Sequence, residues 1–183
     1  DGRLQVTVLC DNGRLFYEVT LDGQKMLERS ALGLKTSIGD LSRDLKWTSH
    51  IPVEPVTKQY KMRGTKAANG NYQANTLTLT YENKDKVEMS VTFQVSNNDI
   101  AFRYTIPEQK IGRKEMKRAR ILSELSSFNF PDGTTTFISP QIGPETGWEQ
   151  TKPSYEEGYS ADAPMTDASQ YGHGYIFPAL FPL

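Results

Sequence analysis

The residues able to do chemistry in this sequence are few, and they crowd towards its end. Glycoside hydrolysis works with two carboxyl groups that flank the scissile bond, and the stretch Ser139–Gly174 carries Glu145, Glu149, Glu156, Glu157, Asp162 and Asp167. Six acids in a polar stretch are ordinarily just solvated. Glu156 and Glu157 differ in their setting, Pro153–Tyr159 (PSYEEGY), where aromatic rings can hold a carboxylate in place for a sugar or for a hard cation. Trp148, Tyr155, Tyr159 and Tyr171 offer a stacking platform for a sugar, although aromatic residues in a β-sandwich more often serve the core.

Other chemistries are poorly supplied. His50 lies in a polar, proline-flanked stretch and His173 between Gly172 and Gly174, so both read as exposed loop or turn residues. Neither supports a Ser-His-Asp triad, and without HxxxH or HxH spacing they make a poor zinc site. A mutarotase-like acid and base would need His173 with Glu156, the one pairing of that kind worth testing. Cys10 is the only cysteine, which excludes an intramolecular disulfide and a thiolate cluster; it is expected to pack as a small apolar residue on a strand. Gly172 and Gly174 precede a strand and not a helix, so no phosphate cradle forms there.

Charge narrows the partners. Twenty-one Lys and Arg against 22 Asp and Glu leave a net charge of -1, without the basic field of a nucleic-acid binder. The densest cluster, Lys110–Arg120 (KIGRKEMKRAR), has no interleaved aromatic residues for base stacking and reads as a solvated connection. No apolar run is long enough for a membrane span. The sequence opens at Asp1 without a basic-then-apolar leader, and the expectation is a soluble protein whose targeting peptide has been removed.

The elements that must position these residues are strands. Leu4, Val6 and Val8 alternate into Asp11-Asn12-Gly13, then Leu15, Tyr17, Val19 and Leu21 alternate into Asp22-Gly23; this is the pattern of hairpins in a meander. Thr76–Glu82, Val87–Val95 and Ile100–Ile106 are the clearest strands. Between Ile38 and Ala74, Pro52, Pro55, Gly64 and Gly70 interrupt short segments around Trp47 and Tyr60, and excursions between strands are expected. Gly112 breaks Glu108–Leu125, which leaves room for a short helical turn at most. Phe128 and Phe130 alternate into Pro131-Asp132-Gly133, and Thr134–Ile138 returns as a strand. Ser139–Gly174 reads as one long functional-type loop, followed by the strand Tyr175–Phe181 with Pro178 inside it. An ending within such a strand is the pattern expected of truncation.

In this order and at these spacings the segments resemble the N-terminal domain of family 97 glycoside hydrolases. The markers are DGRLQVTVLCDNGRLFYEVTLDGQKML at the start, SALGL at Ser30–Leu34, DIAFRYTIP at Asp99–Pro107, SELSSFNFP at Ser123–Pro131, PSYEEGY, and GYIFPALF at Gly174–Phe181. The resemblance covers residues 1–183 and implies an all-β fold, an antiparallel supersandwich related to galactose mutarotases and truncated at its C-terminal end. It implies further that the intact enzyme continues into a (β/α)8 barrel. Such a barrel takes about 250 residues and does not fit in this chain.

By that resemblance the catalytic carboxylates belong to the barrel, and the chain alone is expected to be inactive. The N-terminal domain packs on the barrel and lends a glutamate to a calcium site beside the bound α-linked oligosaccharide; matched by motif this is Glu156, with Glu157 the alternative. The substrates implied are α-glucosides or α-galactosides, and the location is the periplasm or the exterior of a bacterium. The competing reading is a free-standing carbohydrate-binding module that holds sugar on Trp148 and its neighbouring tyrosines.

Overall fold

The computed structural model describes residues 2–64, 69–112, 114–116, 118–141 and 159–182. Among them every regular element is a strand, and all pairings are antiparallel. The expected antiparallel β-sandwich is therefore the fold that forms. The chain divides into two compact units, Asp1–Asn129 and Phe130–Leu183.

In the first unit β1 (Leu4–Asp11), β2 (Arg14–Leu21) and β3 (Gln24–Leu32) make a three-stranded meander. Its two tight turns follow from residue type. Asn12 and Gly13 have φ of 49° and 72°, and Asp22 and Gly23 have 52° and 82°. Two consecutive left-handed residues make the turn whose twist matches a hairpin, and Asn-Gly and Asp-Gly are the pairs that accept it most readily. A second sheet has the order β6-β7-β8-β9, from β6 (Lys46–Lys61), β7 (Asn69–Glu82), β8 (Glu88–Ser96) and β9 (Ile100–Thr105).

The two sheets meet across one core because each presents an alternate set of apolar side chains. Leu15, Tyr17 and Val19 of β2 and Met89, Val91 and Phe93 of β8 are buried in the same cluster. The Tyr17 ring lies 5.7 Å from that of Phe93 and 5.6 Å from that of Phe102. Removal of such side chains from water contributes about 1.5–3 kcal/mol apiece. A small sheet of β4 (Leu34–Thr36), β5 (Gly39–Leu41) and β12 (Ile121–Glu124), in the order β12-β4-β5, adds Leu34 and Leu41 to the same core.

The sequence expectation fails most clearly between Ile38 and Ala74. Two of the longest strands, β6 and β7, run there despite Pro52 and Pro55. Proline is tolerated because β6 is the edge strand of its sheet, so the missing N–H need not belong to the ladder. Pro52 also falls inside a register shift between Ile51 and Glu54, where the strand carries an extra residue. In the charged stretch, β10 (Gln109–Ile111) and β11 (Lys114–Met116) pair as a short hairpin, and the helical turn allowed for there does not occur among the described residues. Ser123–Pro131 is largely a strap along β3: Leu125 N–H donates to Gly33 O, Ser127 N–H to Ala31 O, and Glu28 N–H to Asn129 O. The Tyr104 hydroxyl accepts from Gly33 N–H at 2.9 Å and lies 2.7 Å from Ser126 Oγ, which fixes the start of the strap. Cys10 departs from its expected packing as well, for on β1 it is exposed.

In the second unit β13 (Thr135–Pro140) is the central strand, between β14 (Ser160–Pro164) and β15 (Tyr175–Leu180). Thr134–Ile138 and Tyr175–Phe181 form strands as their composition implied. Ser139–Gly174 is not loop throughout, since it contains β14. Phe130 stacks on Phe181 with ring centroids 4.2 Å apart.

Candidate functional site

Glu156 and Glu157 lie outside the described residues, as do Glu145, Glu149, Trp148 and Tyr155. What the structure does define is the frame from which their segment springs. The chain leaves β13 at Pro140 and is back in β14 at Ser160, which stands opposite Ile138 in the antiparallel ladder. Gln141 N–H donates to Gly174 O at 2.8 Å, and the Tyr175 hydroxyl donates to Asp167 O at 3.2 Å. Tyr159 is stacked on Phe137, with centroids 4.9 Å apart and planes 6° from parallel, so that ring is used within its own sheet. Tyr171 remains 43% exposed. His173 is exposed between two left-handed glycines, as its sequence setting implied, and His50 is exposed on β6 with its ring 5.6 Å from that of Trp47.

The described acids are arranged for structure. Asp22 pairs with Arg3 at 2.6 Å, Asp11 with Arg29 at 2.6 Å, Glu18 with Lys25 at 3.4 Å, Asp40 with Arg43 at 2.8 Å, and Glu82 with Lys86. The hydrogen bond and charge of Arg3 hold the Asp22 carboxyl below the ordinary range. Burial alone would raise Asp40, but hydrogen bonds from Ser42 and the charges of Arg43 and Lys35 outweigh it and the net shift is downward. A general acid needs the opposite shift. Among the described residues no three His, Cys, Asp or Glu side chains come together to hold a metal ion, so those residues do not form a calcium shell. A cavity of about 750 Å³ bordered by Gly13, Asp44, Lys46, Glu82 and Lys84 holds no such group either.

Sequence reading missed the outward face of the β6–β9 sheet. Tyr81 of β7 belongs to the core and Leu79 packs against it, so Tyr72, Thr76, Thr78 and Thr80 point the other way. Thr78 Oγ1 meets Thr92 Oγ1 at 2.9 Å, and Thr80 Oγ1 meets Ser90 Oγ at 2.9 Å. The alternating hydroxyls of Thr76–Thr80 (TLTLT) were the available signal.

The fold and the described chemistry together define a β-sandwich module, all strand among the described residues, in which Asp11, Glu18, Asp22, Asp40 and Glu82 serve ion pairs. A family model described as Glycosyl-hydrolase 97 N-terminal matches residues 1–183, and the chain belongs to that family. The crystal structure of a β-arabinopyranosidase superposes with a TM-score of 0.88 at 47% identity, over 98% of this chain and 28% of that one. A glycoside hydrolase family 97 enzyme from Pseudoalteromonas sp. strain K8, in complex with panose, shares the fold at a TM-score of 0.67 and 21% identity, over 76% of this chain and 21% of its own. The protein named "Probable retaining alpha-galactosidase" from Streptomyces bingchenggensis (strain BCW-1) is 24% identical over 137 residues, 75% of this chain and 20% of that protein. The chain thus spans between a fifth and somewhat over a quarter of these relatives.

Proposed function

We propose that this chain is the non-catalytic N-terminal domain of a larger exo-acting glycosidase, packed on a catalytic (β/α)8 barrel, which cleaves α-galactosides or sugars of matching configuration. The observation that carries the reading is the family match over the whole chain. The likeness to a β-arabinopyranosidase supports its finer part, because a β-arabinopyranoside of the L series has the same configuration of hydroxyls and glycosidic bond as an α-D-galactopyranoside. The α-galactosidase similarity points the same way. A home outside the cytoplasm, in the periplasm or beyond, fits a protein that meets oligosaccharides.

Within this reading Glu156 lends one carboxylate to a calcium ion whose other ligands come from the rest of the polypeptide, since calcium takes six to eight oxygens. Such an ion supplies a fixed positive charge beside the reacting sugar. The test is hydrolysis by the intact polypeptide of aryl α-galactoside, α-glucoside and β-L-arabinopyranoside, with calcium titrated in parallel. Turnover of the first and third over the second is expected. Turnover of the glucoside alone would overturn the substrate assignment, and no turnover of any would overturn the hydrolase reading. Glu156→Gln should weaken calcium affinity and rate together; unchanged values there, with loss in Glu157→Gln, move the ligand one residue along.

A further inference from the structure

The geometry points to a second sugar site, on the outward face of the β6–β9 sheet, built on Tyr60 and Tyr72 and taking a short neutral oligosaccharide. Tyr60 and Gly70 stand directly opposite each other in the β6–β7 ladder. A Cβ at Gly70 would meet the Tyr60 ring at 2.5 Å, so the ring lies against glycine backbone that no other residue could provide. Yet Tyr60 is still 51% exposed. An aromatic ring backed by main chain and open to solvent is a preset platform, with little rotamer freedom left to lose when a ligand stacks on it.

Polar groups of the right kind sit one step along the same face. Tyr72 is two residues from Gly70 and therefore points to the same side, on the diagonal from Tyr60 at about 7–8 Å. Its hydroxyl accepts from Gln94 Nε2 at 2.8 Å and donates to Asp99 Oδ1 at 3.2 Å. Among the described residues the Gln94 amide oxygen and Asp99 Oδ2 have no further partner, which leaves two planar acceptors beside an aromatic platform. Lys58, opposite Tyr72 in the ladder, places a positive charge on the same face as the Tyr72 ring whose hydroxyl meets Asp99. The patch is therefore close to neutral and rich in directional acceptors. A pyranose matches it, with a C–H face for the ring and hydroxyl edges for the carboxylate and amide. An ionic ligand does not.

The competing account is that Tyr60 merely covers a glycine to stabilise its strand pair. Calorimetric titration of the 183-residue chain, its β structure checked by circular dichroism, separates the two. Panose and raffinose serve as neutral probes and oligogalacturonate as the anionic control. Binding of a neutral probe is expected, with a loss of roughly tenfold in Tyr60→Ile, which keeps an apolar β-former over Gly70 without the ring. Tyr60→Phe should stay within about twofold of wild type, and Asp99→Asn should weaken binding severalfold. No neutral-sugar binding by the folded chain, equal affinity in Tyr60→Ile, or preference for oligogalacturonate would overturn the site. Since the readout is binding and not turnover, hydrolysis by the intact polypeptide can hold while this site fails, and the reverse.

Discussion

At the scale of single residues, backbone conformation and burial give the sharpest expectations. Gly13 and Gly23 both adopt left-handed turns, but a Cβ at Gly13 would lie 2.9 Å from the Asp44 Cα, whereas one at Gly23 meets nothing within 4 Å. Gly23→Ala should therefore cost only the left-handed penalty, about 1–2 kcal/mol. Gly13→Ala should cost more, because main chain must also move; equal midpoints in urea denaturation would refute the distinction. The buried phenols set a pH limit. Burial pushes Tyr17 up to about 12, partly opposed by a hydrogen bond with Ser30, and burial likewise raises Tyr81 to about 12. The fold keeps the neutral form, so this stabilisation is complete below the ordinary tyrosine value of about 10 and is lost as pH climbs towards 12. Tyrosinate absorbance from these two should appear only with loss of near-ultraviolet circular dichroism. Ionisation of all nine tyrosines in a still-folded protein would contradict this.

At the scale of elements, the parts legible in the sequence were those with a strict period of two and a dedicated turn: β1, β2, the Thr76–Glu82 half of β7, β8, β9, and the Asn-Gly and Asp-Gly hairpins. The parts that were not legible obey a different physics. β6 is exposed along almost all of its length, so no apolar alternation marks it, and its prolines argue for a loop unless its edge position is known. The strap Ser123–Pro131 takes its shape from hydrogen bonds to β3, residues about a hundred positions away, which no local pattern can reveal. Of the candidate site, residue type could nominate Glu156, while the Tyr60–Gly70 pairing needed the register of a hairpin. Asn83 shows how elements are tied. Its side-chain oxygen accepts from Asp85 N–H and Val87 N–H, each at 2.9 Å, and its amide donates to Asp40 O of β5 at 3.0 Å. Asn83→Ala should cost about 2–3 kcal/mol, since it strands a buried N–H and a carbonyl. Asn83→Asp keeps the oxygen that accepts both N–H bonds but sets a second carboxylate oxygen against the Asp40 carbonyl. Only the protonated acid can donate there, and burial favours the same neutral form; with these two effects outweighing the N–H bonds from Asp85 and Val87, the folded pKa is expected above the unfolded value of about 3.9. The variant should approach wild-type stability below that pH and lose ground as pH rises through the folded value. Denaturant midpoints that show no such pH dependence would remove the Asp40 contact from the account.

At the scale of the whole molecule, the question is whether this chain by itself can turn over a glycoside. Acid-assisted cleavage needs one carboxyl held protonated near neutral pH and a second placed about 5–9.5 Å away. The described carboxyls with clear shifts, Asp22 and Asp40, are both displaced downward, and the ion-paired acids are committed to arginine and lysine. Burial without a partner would raise a carboxyl, but the buried polar side chains of the described core are Ser, Thr and Asn. The remaining acids of interest, Glu145, Glu149, Glu156 and Glu157, fall in a segment whose ends are fixed on β13 and β14. One short segment of chain can supply a ligand or a substrate contact; a catalytic pair needs two carboxyls held in different environments. The expected outcome is that the purified 183-residue chain hydrolyses aryl α-galactoside and β-L-arabinopyranoside no faster than buffer, with or without added calcium, while the intact polypeptide does so readily. Residual turnover that survives repurification and disappears in Glu156→Gln would show that the acid resides in this domain, and would replace the scaffold reading with a catalytic one.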